Sequence, residues 1–282
     1  MSLPFARGGR TAVLAMAVAC AAAARADEPD RSWSLPQGAP ALGALGIALS
    51  VRPPYTGADS HRVSATPNFL VRWGRLSLSN GGTLASRSGE SVEGGLAADL
   101  YSRERLRLSA SLRWDAGRRS GEDERMRGVH DIPSHLRARL QGGWRLHPQW
   151  DLSASWRPDL SGRGTGSSLE LTLLHEWRPD FLDRRLWKVS AGISAEALDA
   201  RRANLIFGIT ADDARRSRHA AFTLDGGLSQ LRGFVNWRRE LTDSWVAYGS
   251  FTLEGLVGQA AQSPLTARNL GVSVSAGLGR RF

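Results

Sequence analysis

Apolar and polar residues alternate one by one along most of this chain. In 105–115, Leu106, Leu108, Ala110, Leu112 and Trp114 alternate with Arg107, Ser109, Ser111 and Arg113. In 135–146, Leu136, Ala138, Leu140, Gly142, Trp144 and Leu146 alternate with Arg137, Arg139, Gln141 and Arg145. Segments 150–157 and 168–178 repeat the pattern, and 269–282 carries it to Phe282, with Leu270, Val272, Val274, Ala276, Leu278 and Arg280 on the face of that aromatic. A period of two predicts β-strands with one apolar and one polar face. The segments have the length of membrane-crossing strands, about 9–11 residues with lipid-facing and lumen-facing positions in alternation.

The spacing between strands adds a second regularity. Short connections (72–75, 102–105, 147–149, 240–244, and the somewhat longer 178–185) alternate with long ones (53–61, 81–90, 116–133, 159–166, 198–227, 257–268). About twelve strands result, the first over 42–51 and the last over 269–282. That predicts an all-β fold: a single antiparallel transmembrane β-barrel with both termini on the short-turn side. The first strand is the weakest, since Leu42, Leu45 and Leu49 also suit a helix. Within 198–227, residues 204–210 read as a strand extension. Residues 210–217 read as a short helix, with Thr210 as N-cap and Asp212 and Asp213 in its first turn. Nine tryptophans, from Trp73 to Trp245, fall near strand ends, as aromatic girdles do in lipid. A soluble β-sandwich or lipocalin-like protein, the alternative, would bury them centrally.

The ends of the chain place it in the envelope. Arg7 and Arg10 precede a small and apolar run over 11–24, and Ala24-Arg25-Ala26 fits a cleavage site. Residues 1–26 therefore read as a signal peptide and 27–41 as a polar, Pro-containing periplasmic segment, with the barrel over 42–282. The only cysteine, Cys20, lies in the signal. An acylated Cys20 is the competing reading, but Ala17-Val18-Ala19 lacks the leucine usual before such a cysteine. After cleavage no disulfide and no cysteine-based metal site is available. Net charge is +10, and removing Arg7, Arg10 and Arg25, with no acid in 1–26, leaves +7. An exported chain has little access to nucleic acid. The anions it meets are lipopolysaccharide phosphates, peptidoglycan carboxylates and small solutes.

Candidate chemistry is sparse. No Gly-x-Ser-x-Gly elbow is present, and Gly162-Arg-Gly-Thr-Gly166 lies between strands with no helix after it, so it reads as a hairpin loop. His130, Asp131 and His135 lack metal-ligand spacing. No catalytic residue, cofactor or metal is expected, and the chain reads as non-enzymatic. The polar strand faces carry Arg107, Arg113, Arg137, Arg139, Arg157 and Arg178 with Glu170 and Glu176. Two readings follow: a water-filled, anion-preferring pore lined by arginines, or a lumen held shut by Arg–carboxylate pairs.

These residues resemble a known family. Arg52-Pro53-Pro-Tyr55-Thr-Gly57-Ala-Asp59, followed by Pro67, is similar to the start of the MipA/OmpV outer-membrane proteins, where a Pro-x-Tyr-x-Gly-Ser-Asp motif leads into a Pro-containing second strand. Phe207-Gly-Ile-Thr-Ala211 and Ala260-Ala-Gln-Ser263-Pro264 resemble two further motifs, and Gly277-Leu-Gly-Arg-Arg-Phe282 resembles the family's ending. Ala58, Ile206 and Gln262 depart from the pattern. The resemblance implies an outer-membrane barrel in contact with lipid and lipopolysaccharide, whose terminal Phe282 is part of the signal read by the barrel assembly machinery. It further implies either a scaffold linking a murein transglycosylase to a peptidoglycan synthase in cell-wall turnover, or a small-solute porin, stress protein or adhesin.

Overall fold

The computed structural model describes residues 42–81, 93–160, 162, 164–177, 182–183 and 186–282. The expected signal peptide with Cys20, the segment 27–41 and Arg178 lie outside them. Twelve antiparallel strands, each hydrogen-bonded to its neighbours in sequence, close into a barrel when β1 (Leu42–Arg52) pairs with β12 (Leu270–Arg281). The others are β2 (Arg62–Trp73), β3 (Leu76–Gly81), β4 (Glu93–Ser102), β5 (Leu106–Asp115), β6 (His135–His147), β7 (Trp150–Arg157), β8 (Ser168–Trp177), β9 (Trp187–Asp199), β10 (Gly226–Glu240) and β11 (Trp245–Leu256). The doubtful first segment is a strand because both its edges are paired, to Arg62–Arg72 on one side and 274–281 on the other.

The alternation resolves into two surfaces. Leu45, Ile47 and Leu49 are each more than half exposed, while Ala44 and Ala48 between them are buried. Outward apolar and inward polar or small residues are the pattern of a barrel whose solvent outside is lipid. Trp73, Trp144, Trp150, Trp177 and Trp245 stand exposed near the short-turn end. There Trp187 and Trp237 lie 5.9 Å apart and Trp150 tilts against His175 at 4.5 Å.

Two local features follow from residue size. Tyr248 turns inward, fully buried, where Gly46 of β1 and Gly277 of β12 leave room; a Cβ on Gly277 would press into its ring. Asn68 donates to its hydroxyl at 2.9 Å. At Pro67, β3 pairs with β2 only from Leu70 to Trp73, and the Asn80 carboxamide takes over the ladder. It donates to the Pro67 carbonyl and accepts the Phe69 N–H.

Among the described residues three helices lie in the long connections: α1 (Ala200–Phe207) and α2 (Ala211–Arg216) after β9, and α3 (Gly258–Gln262) after β11. Two single 3-10 turns follow β5. Helix α1 corrects the strand extension expected over 204–210. Asp199 caps it by accepting the Arg202 N–H, and Ala203 and Phe207, four residues apart, bury one face against Leu198, Leu224, Leu256 and Ala260. The apolar partners come from other loops, so helical spacing prevails over the strand-like run Leu205-Ile206-Phe207.

Candidate functional site: the capped outer mouth

The long connections after β1, β5, β9 and β11 fold over one end of the barrel as a cap with its own core. Met126, Val129, Ile209 and Leu265 are buried together, with Tyr55, Ala214 and Phe222 against them. These side chains come from the connections after β1, β5, β9 and β11. In a ring of twelve strands the β5–β6 and β11–β12 connections are diametrically opposed. Their contact, with Met126 and Leu265 in one buried cluster and Arg125 Nη1 donating to the Pro264 carbonyl at 3.4 Å, therefore carries the cap across the mouth.

The residues of the family-like motifs meet in this cap. Ala267 and Arg268 donate backbone N–H groups to the Gly57 carbonyl at 2.8 and 3.0 Å. Gly57 sits at φ +95°, a conformation that side chains other than glycine rarely adopt. The Tyr55 hydroxyl donates to the Leu265 carbonyl at 3.4 Å, and burial with Asp123 nearby pushes that hydroxyl up to about 12. Ser263 Oγ donates to the Phe207 carbonyl at 2.6 Å and accepts the Leu265 N–H at 3.2 Å. Pro53 lies against Gly271, whereas Arg52 and Asp59 are exposed.

Asp213 is the polar centre of the cap and is fully buried. It belongs to the capping box that starts α2: Oδ2 accepts from Thr210 N at 3.1 Å and Oγ1 at 2.8 Å, while Thr210 Oγ1 accepts the Asp213 N–H. His130 Nδ1, from the β5–β6 connection, meets the same Oδ2 at 2.7 Å, and its Nε2 faces the Leu205 carbonyl at 3.2 Å. Arg216 donates to Oδ1 at 3.0 Å. Burial alone would raise the Asp213 pKa, but the hydrogen bonds from His130 and Thr210 outweigh it and hold the carboxyl below its ordinary range. Arg118 donates to the Ile206 carbonyl at 2.8 Å, and burial lowers its pKa.

Below the cap, charged groups line the inner wall. Arg157 pairs with Glu170 and, at 3.4 Å, with Glu196; Arg232 reaches Glu170 at 3.1 Å and Glu254 at 3.7 Å. This chain runs along β7, β8, β9, β10 and β11, so it follows the wall from strand to strand and does not cross the lumen. Arg157 and Glu170, expected on the polar strand faces, both belong to it. Along this wall Ser155, Ser168 and Ser190 are 2–3% exposed. Arg139 lies beside Glu170. Arg107 and Glu176 lie toward the short-turn end, near Arg72 and opposite Ser190 respectively.

Arg113 and Arg137 stand directly opposite each other on β5 and β6, at the outer end, with Asp115 two residues along. Asp115 Oδ1 accepts the Gly117 N–H at 3.0 Å, and Oδ2 lies 3.4 Å from Arg137 and 3.9 Å from Arg202 of α1. Arg202, Glu196, Arg232, His130 and Asp213 were not legible as a group in the sequence. Their partners are distant in sequence, and only the capping pattern Thr210-x-x-Asp213 is a local signal.

A family model described as MltA-interacting protein MipA matches residues 45–282. None of the curated proteins matches the chain significantly. Among solved structures, similar ones include an outer membrane channel from Pseudomonas putida F1 (11% identity, 91% of this chain and 100% of that chain, TM-score 0.43). OmpT of Vibrio cholerae matches at 6% identity over 86% and 97%, with a TM-score of 0.38. The outer membrane channel DcaP of Acinetobacter baumannii matches at 8% over 86% and 96%, with a TM-score of 0.38.

Proposed function

Because the chain belongs to the MltA-interacting protein MipA family, we propose that this outer-membrane barrel works through its surfaces, as a non-enzymatic scaffold that holds a murein transglycosylase and a peptidoglycan synthase together in cell-wall turnover. The observation that carries this reading is the cap. Loops from opposite sides of the mouth share one core that holds Met126 and Leu265, and Ser155, Ser168 and Ser190 beneath it are buried. A barrel closed in this way offers partners its periplasmic turns and the segment 27–41, while its lipid-facing strands anchor it.

The test uses the full mature barrel, folded in detergent micelles. A murein transglycosylase is expected to be retained on it, and deletion of 27–36 is expected to weaken retention if that segment is the contact. Unchanged retention after the deletion would move the contact to the turns, and absence of any retention by the intact barrel would sink the scaffold. The second reading is a small-solute, anion-preferring pore, favoured by the arginines at the outer mouth. Single-channel conductance in a planar bilayer separates the two, since a capped barrel is expected to be silent and a pore to open in discrete steps.

A further inference from the structure

Arg113, Arg137 and Arg202 lie at the outer end of the lumen, with Asp115 among them. Arg202 is 8% exposed, yet its guanidinium donates no hydrogen bond to the described residues, and its nearest carboxylate oxygen, on Asp115, is 3.9 Å away. Asp115 shares that one oxygen between Arg202 and Arg137, because its other oxygen is committed to Gly117. The other carboxylates nearby also accept from groups other than the Arg202 guanidinium. Asp199 accepts from Arg202 N, Ser167 N and Ser167 Oγ, Glu196 takes Arg157, and Asp159 accepts the Thr165 N–H. Arg113 faces Arg137 across the ladder, an arrangement of like charges that is unfavourable unless something lies between them. Burial, with Arg137 alongside, lowers the Arg202 pKa to about 10, against the opposing pull of Asp115, Glu196 and Asp199.

We propose that Arg113, Arg137 and Arg202 form a binding site for a small oxyanion, a phosphate or a carboxylate, beneath the edge of the cap. Guanidinium forks bind both groups with paired N–H donors. Arg113 is exposed, so the site opens to water on that side, while Arg202 supplies the buried floor. Asp115 orients Arg137 and Arg202 and competes with the ligand for them. The site needs no conduction and no periplasmic partner, so it stands or falls apart from the scaffold reading.

Isothermal titration of the folded full barrel with inorganic phosphate, and separately with acetate, at constant ionic strength tests this. Saturable binding is expected for at least one, and whichever binds assigns the ligand class. Losing a charged hydrogen-bond donor weakens an anion by about tenfold or more, so Arg202→Gln and the exposed, fold-neutral Arg113→Gln should each do so. Arg127→Gln, an equal charge change on the exposed cap surface, should leave binding unchanged. Asp115→Asn removes the competitor and should tighten binding. No saturable binding of either anion to the folded barrel, or equal binding by wild type and Arg113→Gln, would overturn the site.

Discussion

Replacing Asp213 by alanine should open the cap and leave the barrel intact. The side chain is fully buried and accepts from His130, from Thr210 N and Oγ1, and from Arg216. The Arg216 side chain is mostly exposed, so that pair adds little. The loss is concentrated in the His130 contact, whose Nδ1 loses its partner, and in the capping box of α2. Removing one partner of a buried pair costs about 3–5 kcal/mol, and a cap about 1 kcal/mol of that range. Taking about 3–4 kcal/mol, the opening equilibrium of the cap rises by about 10²–10³. Amide hydrogen exchange should show this as lost protection over 200–225 and around His130, with β7 to β11 unchanged. The pH dependence has a defined sign. The folded carboxyl lies below its ordinary value of 3.8, so its stabilisation is complete above that value and is lost as pH falls through the folded one. Wild-type protection should therefore persist at pH 5 and fail only below about pH 4. Protection of 200–225 equal in Asp213→Ala and wild type would refute the role given to this carboxylate.

Three further outcomes are expected. Ser263→Ala removes the bond to the Phe207 carbonyl and should raise cap exchange by about tenfold, from about 1–2 kcal/mol; an unchanged rate would detach α1 from the last connection. Arg157→Met removes one ion-pair partner of Glu170 and leaves Arg232, and should lower denaturant stability by about 3 kcal/mol, whereas adding Glu170→Leu should recover most of it; equal midpoints for single and double variants would contradict the coupling. Gly277→Val drives a side chain into the Tyr248 ring and should leave the barrel unfolded by heat-modifiability on gels, with Gly277→Ala less severe; a folded Val variant would mean the ring has another place to go.

Much of the wall was legible because a strand's period of two is fixed by local geometry, and an error of one residue would have put Leu45, Ile47 and Leu49 inside. Thr210 and Asp213 were legible for the same reason, as two residues three apart that cap one helix start. Helix α1 was not, since Leu205-Ile206-Phe207 has strand-like composition and the helix exists because Phe207 finds Leu256 and Ala260. The cap's contacts were beyond reach in a different sense. Tyr55 and Leu265 are 210 residues apart, and His130 and Asp213 are 83 apart. The candidate anion site joins a strand pair to the misread helix, so Arg202 could not be counted with Arg113 and Arg137.

The glycine socket around Tyr248 has a kinetic consequence. Its two halves, Gly46 and Gly277, arrive from opposite ends of the polypeptide, and the ring has nowhere to settle until both are present. Joining β1 to β12 closes the longest loop in the molecule, the contact of highest sequence separation and the slowest to find by diffusion. An assembling sheet would thus carry Tyr248 unhoused through every earlier step, and its environment would change only at the final zippering. Tyrosine fluorescence or exchange at Asn68 would report that event as a clock for insertion, distinguishing a completed cylinder from an open, still-growing sheet.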